Sequence, residues 1–121
     1  MTQLVVFDLD GTLAESKSSI APRMVELLNS LLRVTKVAVI SGGDWPQFEK
    51  QVLSGGFDAA GLANLSLLPT SGTKLYVHRS GWEPLYAENL TDVEKAKITR
   101  ALQQATESLG FTPDRVWGET I

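Results

Sequence analysis

The sequence has no cysteine, which excludes disulfides and thiolate metal sites while saying little about compartment. It also lacks any block of like charge: 11 Lys+Arg stand against 14 Asp+Glu, a net −3 at pH 7. Nothing in that balance calls for nucleic acid or an anionic membrane as partner. No apolar run approaches the length that spans a bilayer, and Met1 leads straight into an apolar strand with no signal-peptide pattern, so cytoplasm is the expected location. What remains is 121 residues, one domain's worth of chain, enough to bury roughly two thirds of its unfolded surface.

The informative stretch is Asp8-Leu9-Asp10-Gly11-Thr12-Leu13, because Leu4-Val5-Val6-Phe7 is an unbroken apolar run that ends there in two acids, a glycine and a threonine. That pattern predicts a buried strand running into a polar loop. A strand apolar on both faces marks a parallel sheet covered by helices on each side, and ligands collect beyond the carboxyl ends of such strands. Gly11 lets the backbone turn without a Cβ penalty. Two acids this close repel one another, and keeping both ionised calls for an opposing cation such as Mg²⁺. Asp8 is then a candidate carboxylate nucleophile towards phosphorus, and Asp10 a candidate acid/base for the leaving and incoming oxygens. An acidic turn closing a hairpin is the alternative, since Asp-Gly is also a hairpin signal, but Ala14 to Ser19 is polar and not a returning strand.

Further along, Ile20 to Leu32 carries apolar residues at helical spacing, with Pro22 in the first turn. Lys17 and Arg23, beside its start, can reach a phosphate or sugar, although solvated surface is the commoner role for each. Thr35 to Ile40 is a second, β-branched strand ending in Ser41-Gly42-Gly43-Asp44, and a right-handed parallel unit brings its tip beside that of Phe7. Ser41 and its glycines at a helix start make a phosphate cradle of one hydroxyl and free N–H groups. Asp44 reads as an N-cap with Gln47 in the capping-box position, opening a helix from Trp45 to about Leu53 that stops at Gly55-Gly56. Leu65 to Leu68 is a third strand, broken by Pro69 to Thr73. Lys74 to Arg79 and Trp82 to Tyr86 then alternate about Ser80-Gly81, a hairpin with one wet face that belongs to a different, antiparallel sheet. Thr91 to Glu94 is a capping box opening a long helix closed by Gly110, and Phe111 to Ile121 looks like a turn into another strand. His78, the only histidine, reads as a solvated hairpin position, and Trp82, Tyr86 and Trp117 as packing between hairpin and helix.

The six residues from Asp8 to Leu13, after an apolar strand, resemble the first motif of the haloacid dehalogenase superfamily of phosphoryl-transfer enzymes. The resemblance implies an α/β fold: a Rossmann-like parallel sheet, the first three strands of the core over residues 1–73, and the start of an α+β cap over 74–121. It implies that Asp8 is the nucleophile, that Asp10 is the acid/base and gives its main-chain carbonyl to Mg²⁺, and that Gly11 and Thr12 set the loop around the phosphate. Ser41, with Gly42 and Gly43, matches the second motif, which binds the phosphoryl group. Thr70, Ser71 and Gly72 loosely resemble the turn after the third strand in the sugar-phosphatase and eukaryote-type phosphomannomutase branch; a polar turn with no ligand fits them as well.

Two features the superfamily uses have no counterpart: a lysine that steadies the nucleophile, and a later acidic pair that completes the Mg²⁺ site. Lys74 lies at the start of the hairpin and is not that lysine. The expectation is therefore the amino-terminal part of a Mg²⁺-dependent phosphatase or phosphomannomutase acting on a sugar phosphate, with little activity alone. The apolar edge Leu4 to Phe7 is expected to pair with another copy of the chain, as a dimer or by strand exchange. Two other functions stay open: a non-catalytic interaction domain descended from the enzyme, and a phospho-accepting receiver, which would carry its aspartate after the third strand where this chain has Pro69-Thr70-Ser71.

Overall fold

A computed structural model describes residues 3–111 and 113–116. The chain divides into two compact units, Met1–Glu88 and Asn89–Ile121. In the first, strand β1 (Leu4–Asp8), helix α1 (Pro22–Leu32), strand β2 (Lys36–Ile40), helix α2 (Trp45–Gln51) and strand β3 (Leu65–Leu68) follow in order, then strands β4 (Lys74–His78) and β5 (Trp82–Ala87). All five strands form one sheet in the order β1-β2-β3-β4-β5.

The first three strands are parallel, in a register that aligns Asp8 with Ile40 and Ile40 with Leu68. Their alternation puts Val37, Val39, Leu65 and Leu67 on one face, in a single buried cluster with Val25, Leu28 and Leu32 of α1 and Phe48 of α2. Both helices thus pack on the same face, and helices on each side are not what this unit shows. The reason is topological: two successive right-handed crossovers along the order β1-β2-β3 return on the same side of the sheet. On the opposite face of β1, Leu4 and Val6 are 51% and 55% exposed, and among the described residues β1 pairs with β2 alone. The apolar edge expected of Leu4 to Phe7 is present.

The hairpin departs from expectation. It does not start a second sheet, because β4 pairs antiparallel with β3, Ser66 opposite Val77 and Leu67 opposite Tyr76. Pro69 to Thr73 is too short for a crossover, and a short connection turns the chain back along its own neighbour. The hairpin also buries apolar surface on the core: the rings of Tyr76 and Trp45 stack at 4.0 Å, and Trp82 sits 5.9 Å from Trp45. Trp82 therefore packs on α2, Tyr86 donates its hydroxyl to the Gly72 carbonyl at 2.9 Å, and Trp117 lies outside the described residues. His78 is half-buried, edge-on to Trp82, rather than solvated.

Helix α2 is shorter than its sequence pattern, its last turn tightening into a 3-10 segment over Leu53–Gly55 before Gly56 at φ 77°. In the second unit, helix α3 (Asp92–Ser108) opens on the expected capping box, with Thr91 and Glu94 bonded reciprocally. Of the strand expected over Phe111 to Ile121, the described residues 111 and 113–116 form none.

Phe48 is fully buried at the centre of the cluster. Phe48→Ala is expected to destabilise the chain by about 3–5 kcal/mol, read as a lower urea midpoint; a loss under about 1 kcal/mol would mean the site collapses around the cavity.

Candidate active site

The parallel register lines up the carboxyl ends of β1, β2 and β3 on one edge of the sheet, and the ladder runs on into the loops. Ser41 N–H donates to the Leu68 carbonyl at 3.2 Å, and Ser71 N–H to the Ser41 carbonyl at 2.9 Å. Asp8, Ser41 and the Thr70–Gly72 turn thereby follow one another along one rim. Asp8 is exposed there, and its Oδ2 accepts from the Thr12 hydroxyl at 3.1 Å. The loop is pinned by Leu9, fully buried, whose carbonyl receives the N–H groups of Thr12, Leu13 and Ala14 at 3.0–3.2 Å. Gly11 takes φ +78° with open space around its Cα, so the demand for glycine there is conformational and not steric.

Asp10 turns away from this rim towards α2. Its Oδ1 accepts from the Gln51 amide at 3.1 Å and from the Lys17 N–H at 3.2 Å, and Lys17 Nζ stands 3.8 Å from Oδ2. The Gln51 hydrogen bond first, then the Lys17 N–H and, against the effect of burial, the Lys17 charge, hold the Asp10 carboxyl below its ordinary range. Asp10 is a carboxylate at neutral pH. Gln51, 1% exposed, also donates to the Ser18 carbonyl at 2.7 Å, while Ile20 N–H reaches the Gln51 carbonyl at 2.9 Å. The acidic loop is stapled to α2 by these bonds.

Gln51 was legible as a polar residue on the buried stripe Phe48, Gln51, Val52, but its partner across the fold was not. Gln47 is not the capping-box residue its position implied. Its Oε1 takes the Lys17 ammonium at 3.0 Å, its amide fills the space a Cβ on Gly43 would need, and the Asp44 cap serves Trp45 N–H at 2.7 Å. Lys17 is therefore an exposed side chain with its charged end in the site, whereas Arg23 pairs with Glu26 at 3.3 Å on the surface of α1.

Lys74 belongs to the same sheet as Asp8, not to a separate one, yet three strand spacings, roughly 14 Å, separate their strands. Its ammonium is held by Asp44 Oδ1 at 2.9 Å, which also takes the Thr70 hydroxyl at 3.3 Å. A groove of about 530 Å³ runs beside the acidic loop past Gly11, Thr12, Glu15 and Ser18, and neither Asp8 nor Ser41 lines it. Among the described residues no three His, Cys, Asp or Glu side chains are grouped to hold a metal. An exposed Asp8 carboxylate with the Asp10 carbonyl fits Mg²⁺ in part, because that ion takes one or two protein carboxylates and fills its octahedron with water and phosphate oxygens.

The Asp44 carboxyl is held below its usual range, first by the Lys74 hydrogen bond and then by the Trp45 N–H. A depressed folded-state pKa stabilises fully above the unfolded value, about 3.9, and the contribution is lost as pH falls through the folded value. Asp44→Asn is accordingly expected to lower the melting temperature by a constant amount above about pH 4, the gap to wild type closing in stronger acid. A gap that widens in acid would contradict the ion pair.

No protein-family model matches the chain. Phosphomannomutases from Dendrobium officinale and Schizosaccharomyces pombe are each 37% identical to it over 49 residues, 40% of this chain and 19% of the relative. The match therefore spans about a fifth of the length of these curated relatives. Among solved structures, a haloacid dehalogenase-like hydrolase from B. subtilis superposes with a TM-score of 0.69 at 19% identity, over 87% of this chain and 34% of that one. Plasmodium falciparum IMP-nucleotidase gives 0.64 at 11% identity, over 89% and 35%. The chain thus has the fold of these haloacid dehalogenase-like hydrolases and is similar to phosphomannomutases over part of its length.

Proposed function

We propose that this chain carries the nucleophile and the acid/base of a Mg²⁺-dependent phosphoryl transfer through an aspartyl-phosphate, with a sugar phosphate as substrate. The observation that carries the reading is the exposed Asp8 carboxylate on the same rim as Ser41, with Asp10 two residues on and held in the ionised form. Thr12 engages Asp8 Oδ2, leaving Oδ1 to attack phosphorus. As that bond forms and the bond to the leaving oxygen breaks, that oxygen takes a proton that Asp10 has taken up from solvent on substrate binding, and Asp10 returns to the carboxylate. In the second half the Asp10 carboxylate takes a proton from water or an incoming hydroxyl, which attacks phosphorus and frees Asp8. Ser41 offers its hydroxyl to the phosphoryl oxygens, and Gly42 and Gly43 let the loop approach them. Asp8 and the Asp10 carbonyl would hold Mg²⁺, which would supply positive charge that offsets the phosphate and the two acids.

On this reading the unit from Asn89 begins the cap, the hairpin staying with the core sheet, and the 121 residues alone turn over p-nitrophenyl phosphate slowly or not at all. Removing a cationic partner from a phosphoryl-transfer site costs on the order of several kcal/mol of transition-state stabilisation. The nucleophile can still be trapped. Incubation with acetyl phosphate and Mg²⁺, acid quenching and peptide mapping are expected to find phosphate on Asp8 in the wild-type chain and none in Asp8→Asn. Label on another residue contradicts the assignment and favours the receiver reading.

The open β1 edge supports association with a second copy, since unpaired apolar strands recruit other chains. Light scattering is expected to show a dimer that Val6→Lys converts to monomer; a wild-type monomer at working concentration would refute this.

A further inference from the structure

We propose that Ser71 is a specificity-determining residue of the core, donating its hydroxyl to the hydroxyl-bearing leaving group of the substrate rather than to the phosphoryl group. The inference rests on the phosphoryl-transfer reading above and extends it to a residue outside the acidic loop and the Ser41 loop.

The turn after β3 has an unusual backbone. Thr70 and Ser71 take φ of 52° and 56° and Gly72 follows at 84°, so three successive residues lie in the left-handed region with one glycine among them. A β-branched threonine there is a genuine outlier, and such strain persists only where the surroundings fix it. They do: Thr70 N–H donates to the Gly43 carbonyl at 2.8 Å, Ser71 N–H to the Ser41 carbonyl at 2.9 Å, and the Gly72 carbonyl takes the Tyr86 hydroxyl at 2.9 Å. The turn is thereby locked to the Ser41 loop.

The two hydroxyls of the turn are treated differently. That of Thr70 is engaged with Asp44 at 3.3 Å, whereas that of Ser71 makes no hydrogen bond among the described residues and is exposed. Its Oγ stands 3.7 Å from the position a Cβ on Gly42 would occupy, so Ser71 sits over the Ser41 loop at the rim. Position along the sheet then assigns its partner. Ser41 is one strand spacing from Asp8, and the Ser71 turn two spacings, roughly 9–10 Å, beyond the reach of a phosphoryl group on Asp8 but within reach of what that group is attached to. A free hydroxyl held by a rigid turn suits a neighbouring hydroxyl that can both give and take a hydrogen bond, which is the chemistry of a sugar and not of an apolar ester.

The test measures affinity of the whole chain for inorganic phosphate and for a hexose phosphate, by calorimetry in Mg²⁺, in wild type, Ser71→Ala, Ser71→Gly and Ser41→Ala. Both Ser71 variants are expected to bind hexose phosphate roughly three- to ten-fold more weakly and inorganic phosphate as wild type does, while Ser41→Ala weakens both. Ser71→Gly, which accepts positive φ without strain, is expected to melt above wild type while losing the discrimination, separating the hydroxyl's role from the fold. Ser71 variants that hold hexose phosphate as tightly as wild type, or lose inorganic phosphate in parallel, overturn the inference alone. Ser41→Ala that changes neither affinity, or a wild type that binds neither ligand, overturns the phosphoryl-transfer reading and this inference together.

Discussion

The site depends on one backbone interaction: the parallel pairing of β1 with β2 in the register that sets Asp8 against Ile40. A slip of one residue would turn Val37 and Val39 from the helix-covered face to the other and move Ser41 off the level of Asp8. Burial enforces the register, because both valines are fully buried against α1 and α2. The hydrophobic core thus sets Asp8 and Ser41 at neighbouring strand ends, and no direct attraction between them is needed.

A second constraint fixes Asp10. Asp10 is held from α2 by Gln51 and from its own loop by the Lys17 N–H, so the helix that follows the Ser41 loop also steadies the loop that follows β1. The Asp8 loop and the Ser41 loop are both joined to the same short helix, whose own position is set by Phe48 in the core and by Trp45 stacked on Tyr76. Gln51 carries unusual weight for a neutral residue: a buried amide with a charged partner has no water to replace it.

Much of this was legible without coordinates. The runs Leu4 to Phe7 and Val37 to Ile40 announce parallel strands, of which only the second is buried, and the polar tips that end them identify the rim where Asp8 and Ser41 are found. The hairpin was legible as a hairpin, but not as part of the same sheet. Alternation over Lys74 to Tyr86 reports one wetter face and is silent about which strand lies alongside; the shortness of Pro69 to Thr73 was the better guide. Gln51 and Gln47 escaped because side-chain bonds across 30 or 41 residues leave no periodic trace. The left-handed turn at Thr70 and Ser71 escaped for the opposite reason: neither residue type advertises positive φ.

The central claim is that Asp8 accepts phosphorus beside Ser41, and a crystal structure grown with Mg²⁺ and beryllium fluoride tests it most directly. The account predicts a fluoroberyllate bonded to Asp8 Oδ1, with a fluorine accepting from the Ser41 hydroxyl. Density on any other carboxylate, or a Ser41 hydroxyl turned away from an occupied Asp8, would contradict it.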